Sequence, residues 1–429
     1  MHELSQMIKD DMKPALGVTE PGAIAFAVAK ARSFTKGDIK KVNVAMNSGM
    51  YKNAFTCGIP NSNEVGNVFA AALGVVAGNA DKGLESLADV TPEDNVKAQE
   101  MIDQGKITVE LSGITSRIFI EATVETEEDK AIVAIRDSHT NITKIIVNDK
   151  VELETEDEKK TEEDGGEEES HSIHKYTLQQ LYDYVTTVDI EEIRFINEAY
   201  KVNLELFHEG LENPRTTFAR QLLAINKGKE VSDDEQKTAS LMCNAAIEAR
   251  VIGLDKPAMS ITGSGAHGII ATMPLYAAYK VNGYTEEQLL RATALSYLVC
   301  MYIKEYSGRL SAFCGCAIAA CSGMACALVY LRGGTVEMMA HTLNNMASSI
   351  TGMICDGGNQ GCTMKGVAAV DAAYKSVEFA MNGIYISEVH GINGNTPEET
   401  MRNMGLIASP GMVGTEKTIV EIFEDKLKK

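Results

Sequence analysis

The sequence predicts an α+β protein, with a mixed α/β N-terminal portion that contains an antiparallel sheet and an all-α C-terminal helical domain. From Lys106 to Glu154, short runs that alternate between apolar and polar residues are separated by polar turns, which is typical of β-strands. After His174 the chain has helical patterns throughout, with Gly and Pro between the segments. An acidic run separates these two parts.

The acidic run suggests how the chain divides into domains. Residues 152–169 contain eleven carboxylates, two lysines and almost no apolar side chain, so they bury too little surface to offset the entropy of ordering. A chain of 429 residues is also longer than one compact core usually allows. We therefore predict an α+β domain over 1–151, a disordered acidic linker over 152–173 and an all-α domain over 174–429.

The N-terminal portion is predicted to begin with helices. Thr19 is the expected N-cap of a helix with Pro21 in its first turn. The elements predicted next are a strand over 40–46, a strand from Ser48 into a turn, a helix from about Glu64 and a helix over 92–104. The turn contains Asn61. Asn, Ser and Gly at a strand-to-helix turn can bind a carboxylate or phosphate, or they can form an ordinary cap.

The strand segments that follow are predicted to form an antiparallel meander of consecutive strands. They are 107–113, 116–126, 130–138 and 143–154. His139 lies in the turn between two of them, where a histidine is most often a solvated side chain. The helices predicted after His174 are 177–187, 189–211, 215–227, 232–252, 265–280, 285–305, 314–331, 335–350 and 363–382.

Charge and composition restrict the class of partner. The net charge of −20 argues against nucleic acid or an anionic membrane surface, since both bind basic faces. The 22 uncharged residues between Arg309 and Arg332 are rich in Gly, Ala, Ser and Cys, which predicts a buried central helix rather than a membrane span. The N-terminus has no apolar signal core. We therefore expect a cytoplasmic protein. We also expect a homo-oligomer, such as a homodimer.

Two pairs of cysteines carry the strongest chemical signal. Cys314 and Cys316 stand at the predicted N-terminus of an Ala-rich helix, and Cys355 and Cys362 flank a Gly/Asn turn. A helix N-terminus lowers the pKa of a thiol and favours an anionic cluster nearby. Because the spacings fit neither a C-x-x-C zinc ribbon nor ferredoxin runs, the residues alone indicate either a metal or cluster site or a cysteine-rich core.

Two further segments contain candidate binding groups. The loop from Ser260 to Gly268, with Ser264 at its centre, precedes a helix and resembles an anion cradle. It can hold a substrate carboxylate or the phosphate of a pyridoxal cofactor, or it is a structural loop. Lys304 is a candidate base or carboxylate partner, and Arg309 can clamp a carboxylate through two hydrogen bonds. Either side chain can instead cap the preceding helix.

Several of these segments are also family motifs. They are PALGVTEP at 14–21, NAFTCGIPNSNEVG at 53–66, IRDSHTNI at 135–142, TGSGAHGI at 262–269, GRLSAFCGCAIAA at 308–320 and GMICDGGNQGC at 352–362. Together they resemble the L-cysteine desulfidase family, including the uncharacterised protein group close to it. They are more distantly similar to the iron–sulfur-dependent L-serine dehydratases. The resemblance covers nearly the whole chain outside the acidic run.

The resemblance implies an oxygen-sensitive 4Fe–4S cluster held by three cysteines, with an open iron that acts as a Lewis acid toward the leaving group of L-cysteine or L-serine. A base removes the α-proton, and β-elimination yields aminoacrylate, which hydrolyses to pyruvate and ammonia. The implied ligands are Cys355, Cys362 and one of Cys314 or Cys316, with Cys314 favoured by analogy with dehydratase motifs.

The resemblance also implies how the other candidate residues divide. Ser138, His139 and Thr140 match an SHT turn that is expected near the substrate. With this turn included, the candidate catalytic residues are Lys304 and His139. The candidate residues for binding a small amino-acid substrate are Ser138, Thr140, Asn61, Ser264 and Arg309.

One position departs from the family pattern, because this chain has Val18 where the family commonly has cysteine. Valine can neither titrate nor ligate. Either Cys57 or another group replaces the cysteine, or the substrate differs, or this member has lost the reaction. Val18 supports the alternative of a catalytically altered or inactive family member that acts as a small-molecule sensor. A second alternative is a lyase that uses pyridoxal phosphate, with the Ser/Gly loop as its phosphate cradle.

Overall fold

The computed structural model of the chain describes residues 1–115, 117–155, 173–308 and 310–428. It confirms the predicted fold class, a mixed α/β N-terminal portion followed by a largely helical region. The helices are α1 Glu3–Asp11, α2 Thr19–Arg32, α3 Ser48–Ala54, α4 Asn67–Ala77, α5 Pro92–Asp103, α6 Leu178–Thr187, α7 Ile190–Ile193, α8 Asn197–Glu212, α9 Phe218–Ile225, α10 Glu235–Val251, α11 Gly265–Asn282, α12 Glu286–Ser307, α13 Cys321–Leu331, α14 Val336–Ile350, α15 Gly361–Met381, α16 Pro397–Leu406 and α17 Val413–Leu427. The strands are β1 Lys13–Leu16, β2 Ile39–Asn47, β3 Ile107–Gly113, β4 Phe119–Thr126, β5 Lys130–Arg136, β6 Ile142–Val147, β7 Lys150–Glu154 and β8 Pro257–Ser260.

The main sheet has six strands in the order β3-β2-β4-β5-β6-β7. The pairs β4·β5 and β5·β6 are antiparallel, as predicted, and the pairs β2·β4 and β6·β7 are antiparallel as well. The single strand predicted over 143–154 is divided into β6 and β7. The predicted meander is wrong at β3, which pairs with β2 in parallel and not with β4. The reason is the long connection from β2 through α3, α4 and α5, since a crossover of this kind returns the chain parallel to its first strand.

The segment after β2 is helical, so the strand predicted from Ser48 is wrong. Its apolar residues Met50, Tyr51 and Ala54 are buried and recur at helical spacing. Phe55, next to the end of α3, stacks on Phe423 of α17, with ring centroids 4.5 Å apart. The contact with α17 therefore stabilises a helix in a segment that is too short for its sequence to show a clear helical period.

Smaller corrections concern the ends of elements. The N-cap of α2 is Val18, which makes no side-chain cap hydrogen bond, and the predicted cap Thr19 is the first helical residue. Helices α16 and α17 lie beyond the last predicted helix. Residues 152–154 of the predicted linker belong to β7, while 156–172 lie outside the described residues.

The N-terminal portion and the helical region are joined by a two-stranded sheet. Strand β1 pairs with β8 in antiparallel register, with Lys13 opposite Ser260 and Leu16 opposite Pro257. This pairing brings the start of α2 to the Ser/Gly loop that precedes α11. One cluster of buried apolar side chains extends through both parts.

The uncharged segment after Arg309 forms a π-helical turn, Cys316–Ala320, that continues into α13. Every residue of α13 except Tyr330 is buried, which confirms the predicted buried helix. No helix in the described ranges is both long and apolar enough to cross a lipid bilayer.

Candidate active site

A small cavity of about 80 Å³ lies where the N-terminal portion meets the helical region. Segments far apart in the sequence supply its wall. The polar residues that line it are Glu20, Asn53, His139, Arg250, Thr262, Ser264, His267, Lys304, Ser311, Cys316, Cys355 and Cys362. The cavity therefore collects the chemistry of six widely separated motifs.

The two cysteine segments are held together by backbone hydrogen bonds. The Cys314 N–H donates to the Met353 carbonyl at 3.0 Å, and the Cys355 N–H donates to the Ala312 carbonyl at 2.6 Å. These bonds form an isolated antiparallel bridge between the segments. The pairs predicted from the sequence as two halves of one site therefore lie side by side.

Three of the four predicted cysteines line the cavity. Cys316, Cys355 and Cys362 contribute to its wall, whereas Cys314 is buried behind it with 2% of its surface exposed. The Cys314 and Cys316 sulfurs are 3.4 Å apart. Of this pair, the structure thus brings Cys316 to the cavity, although analogy had favoured Cys314.

The thiols of these cysteines differ in pKa and therefore in how readily they ionise. The hydrogen bond from the Cys314 thiol is the largest influence on Cys316 and lowers its pKa despite burial, with help from the charges of Lys365 and Arg250. The same hydrogen bond and burial raise the pKa of Cys314. Burial, followed by the nearby thiols of Cys316 and Cys355, raises the pKa of Cys362 to about 12. One thiolate is thus favoured, and further ones need a cation among them.

The cysteines that line the cavity fit an iron–sulfur cluster by their chemistry. Among the residues that the structure describes, no group of three His, Cys, Asp or Glu side chains is arranged to hold a single metal ion. Cysteines around a cluster bind separate irons and therefore stand farther apart than the ligands of one ion. Gly357 and Gly358 border the same cavity and add no side chain to it. The three thiols are therefore the groups of this cavity that could hold a cluster.

A buried carboxylate, Glu20, and a histidine, His139, also line the cavity. The Glu20 carboxylate accepts hydrogen bonds from Asn53 Nδ2 at 2.9 Å and from Thr19 Oγ1 at 3.1 Å. His139 Nε2 lies 3.8 Å from Glu20 Oε1, within reach of an ion pair but not of a hydrogen bond. Burial alone would raise the pKa of Glu20, but His139, Asn53 and Arg250 together lower it to about 2. Glu20 is therefore a fixed negative charge.

Lys304 is the buried amine of the site. It extends from α12, is 6% exposed and donates from Nζ to the Gly308 carbonyl at 2.7 Å. Burial lowers the pKa of Lys304 to about 8, although the nearby thiols oppose this shift. A lysine with this pKa is substantially neutral near pH 8 and can accept a proton there.

The loop before α11 has a constrained backbone. Thr262 adopts a φ of 51°, which is uncommon for a β-branched residue, and Gly263 follows with a φ of 74°. Thr262 Oγ1 lies 2.5 Å from His267 Nδ1. Burial and the charges of Lys304 and Arg250 lower the pKa of His267 well below its ordinary value, so the imidazole is neutral. Ser264, the N-cap of α11, makes no side-chain cap hydrogen bond.

Three buried polar atoms on the cavity wall have no hydrogen-bond partner in the described part of the chain. They are His139 Nε2, Arg250 Nε and Ser311 Oγ. Buried polar groups are normally paired, so several unpaired ones around one cavity indicate a missing ligand. The arrangement can bind a small polar molecule.

The other predicted site residues lie elsewhere. Asn61 donates from Nδ2 to the carbonyls of Leu87 and Ala88 and borders a separate surface cleft. Within the SHT turn, His139 alone lines the cavity, while Thr140 is exposed and Ser138 is half-buried. Arg309 lies outside the described residues.

At the position where the family commonly has cysteine, this chain has an apolar side chain on the cavity wall. Val18 is 2% exposed and lines the cavity beside Gly358, where a Cβ would lie 2.8 Å from Val18 Cγ1. Cys57 is fully buried and donates to the Ala54 carbonyl at 3.5 Å, and burial raises its pKa well above the ordinary value. Cys57 therefore does not replace the missing thiol.

Six polar residues on the wall were not predicted: Glu20, Asn53, Arg250, Thr262, His267 and Ser311. All of them except Arg250 stand within segments that carry the family resemblance, which could have identified them. Arg250 is in the last turn of α10, where a basic side chain is common because it interacts favourably with the helix dipole. Only the tertiary structure distinguishes it from such a residue.

Comparison with known proteins agrees with the resemblance. Residues 81–421 match the family model of the serine dehydratase alpha chain. A UPF0597 protein of Clostridium botulinum is 40% identical over 430 residues, which cover 98% of each chain. UPF0597 proteins of Caldanaerobacter subterraneus and Bacteroides fragilis are 36% and 34% identical, each alignment covering 99% of this chain and 98% of the relative. The chain therefore belongs to the serine dehydratase alpha chain family and is similar over its whole length to the UPF0597 proteins.

Proposed function

We propose that the protein is an iron–sulfur-dependent lyase that eliminates the β-substituent of L-serine or L-cysteine. The products are pyruvate and ammonia, with sulfide in addition from L-cysteine. The observation that carries the proposal is the meeting of three cysteines with Lys304 on one small cavity. Membership of a family named for a serine dehydratase supports the same reaction class.

Cys316, Cys355 and Cys362 are the proposed ligands of a 4Fe–4S cluster. When bound, the cluster would supply a Lewis acid for the hydroxyl or thiol that leaves. Cys314 supports the site from behind, because its thiol donates to Cys316 and favours the thiolate there. This assignment uses the three thiols that line the cavity.

Lys304 is the proposed base that removes the α-proton. Its lowered pKa of about 8 leaves a large neutral fraction at mildly alkaline pH, as a general base requires. His139 is the second group that can hold a proton at the cavity, with Glu20 beside it at 3.8 Å. The first turn of α11 after Ser264 provides N–H donors for an anionic part of the substrate.

Val18 bears on which substrate is used. Resembling proteins commonly have a thiol at this position, and here an isopropyl group lines the cavity instead. The reaction must therefore proceed without a thiol at this position, and this position does not determine whether a hydroxyl or a thiol is eliminated. L-serine and L-cysteine are both candidates, and an inactive sensor is the alternative that Val18 favours.

A substrate panel under anaerobic conditions tests the proposal. Protein reconstituted with iron and sulfide should form pyruvate from L-serine, L-cysteine or both, and none from L-alanine, which has no β-leaving group. A cluster-loaded protein that forms no pyruvate from either substrate would contradict the lyase and favour the sensor. Pyruvate formation that depends on pyridoxal phosphate rather than on iron would contradict it as well.

A further inference from the structure

Arg250 is a buried cation without a bonding partner. It is 4% exposed, lines the cavity, and makes no hydrogen bond or ion pair with any residue in the described part of the chain. Removing a guanidinium from water is costly unless its N–H groups are paired, and the nearby Glu20 carboxylate interacts with its charge but makes no hydrogen bond with it. An arginine in this state is typical of a site that is completed by an anionic ligand.

The backbone around Arg250 is shaped to let its guanidinium reach the start of α11. A Cβ at Gly265 would lie 2.7 Å from Arg250 Nε, so any side chain there would displace the guanidinium. Gly265 is the first residue of α11, an 18-residue helix whose N-cap Ser264 leaves the first-turn N–H groups without a side-chain acceptor. The buried cation and the positive end of the helix therefore face the same point of the cavity.

The groups next to this point either have other hydrogen-bond partners or carry no charge, so an anionic ligand can occupy it. The nearby carboxylate of Glu20 already accepts hydrogen bonds from Asn53 and Thr19. His267, in the first turn of α11, is neutral because burial and the charges of Lys304 and Arg250 lower its pKa. A guanidinium offers two parallel N–H groups, which match the two oxygens of a carboxylate.

We propose that Arg250 and the first turn of α11 bind the α-carboxylate of the substrate, so that the site selects free small α-amino acids over their amides, esters and peptides. The inference names the substrate class of the proposed lyase and so rests on that function. The cavity is small, about 80 Å³, which favours a small molecule next to the anchor over a peptide.

The experiment measures the preference for a free carboxylate by calorimetry on anaerobic, cluster-loaded protein. The probes are L-alanine and L-alaninamide, which lack a leaving group and bind without turnover. The wild type should bind L-alanine about 10- to 100-fold more tightly than the amide, as expected for charge-assisted hydrogen bonds. Arg250→Gln should lose most of that ratio, Arg250→Lys should keep part of it, and the exposed control Arg220→Gln should keep all of it.

Gly265→Ala provides a second test, because it displaces the guanidinium but retains its charge. It should also lower the affinity for L-alanine more than that for the amide, and it remains informative if Arg250→Gln does not fold. A folded, cluster-loaded Arg250→Gln with the wild-type ratio would overturn the proposal. So would a wild type without the preference, or an Arg250→Gln whose iron content falls while its ratio is unchanged.

The two proposals fail in different ways. If the wild type forms no pyruvate but prefers L-alanine, and Arg250→Gln loses this preference, the carboxylate anchor stands and the lyase does not. If pyruvate forms and the preference survives in a folded Arg250→Gln, the lyase stands and the anchor is wrong.

Discussion

Lys52 and Lys304 are both buried, with 1% and 6% of their surfaces exposed, and both interact with the thiol of Cys355, yet their pKa values are shifted in opposite directions. Burial would lower the pKa of Lys52, but the charges of Cys355, Glu416 and Glu20 outweigh it and raise the pKa. Burial dominates at Lys304 and lowers its pKa to about 8. Burial alone therefore does not decide the charge of a lysine.

The raised pKa of Lys52 has a direct cause in the structure, which is a bonded carboxylate. Lys52 Nζ is 3.0 Å from Glu416 Oε2 of α17 and donates to the Ser311 carbonyl at 2.9 Å. Lys304 Nζ donates to the Gly308 carbonyl at 2.7 Å, and burial is the largest influence on its pKa. A carboxylate holds the proton on Lys52, which makes it a fixed charge behind the site, whereas Lys304 is able to exchange its proton. Lys52 is therefore expected to contribute to stability, whereas Lys304 is the proposed base.

The largest expected effect is on turnover, from replacement of Lys304. Lys304→Met retains the apolar stem but removes the base, so we expect kcat for pyruvate formation to fall by about 10²- to 10⁴-fold with unchanged iron content. Lys304→Arg should be similarly inactive, because a guanidinium stays protonated. The exposed control Lys280→Met should have wild-type activity. Near-normal turnover in Lys304→Met would exclude it as the base.

The next effect is on stability, from removal of the carboxylate that holds Lys52. Glu416→Gln leaves a buried ammonium without its counter-ion, and we expect the free energy of unfolding to fall by about 3–5 kcal/mol. Urea denaturation at pH 7 measures this change. Glu421→Gln, on the same helix with 58% of its side chain exposed, should cost under about 0.5 kcal/mol. Equal effects of the two variants would show that the Lys52–Glu416 pair has no special weight.

A smaller effect is expected from the carboxylate of the site itself. The pKa of Glu20 is lowered from 4.5 to about 2 in the folded protein. Its contribution of roughly 3 kcal/mol is therefore complete above pH 4.5 and is lost as the pH falls toward 2. The difference in unfolding free energy between wild type and Glu20→Gln should shrink over that range, whereas the exposed control Glu93→Gln should differ little at any pH. A difference that does not change with pH would contradict the charged state of Glu20.

The sequence allowed the fold class to be predicted because the strands β4 to β7 and the long helices have clear periods. It did not reveal that β3 pairs with β2, since strand order depends on the crossover through α3 to α5 rather than on the strand itself. It also did not reveal α3, because the end of this helix is held by the stacking of the next residue, Phe55, on Phe423, some 370 residues away. Both misses concern contacts between distant segments.

The part of the candidate site that could be predicted consists of residues whose type itself indicates a reaction or a metal, as cysteine and lysine do. Cysteines beside glycines and a lysine next to them indicated a site, and all but Cys314 reach the cavity. Arg250 could not be identified from its own position, because a basic residue near the end of a helix is ordinary. Its role depends on the missing side chain of Gly265, which is a property of the packed structure. The expected homo-oligomer and cytoplasmic location stay predictions.

Iron and sulfide content per chain, measured after anaerobic reconstitution of matched cysteine variants, tests the proposed cluster site most directly. Wild type should bind about four irons and four sulfides, and Cys316→Ala should lose the cluster. Cys326→Ala, which removes a fully buried thiol of α13 that does not line the cavity, should retain it. A wild type that takes up no cluster, or a Cys316→Ala protein that holds the full complement, would contradict the site described here.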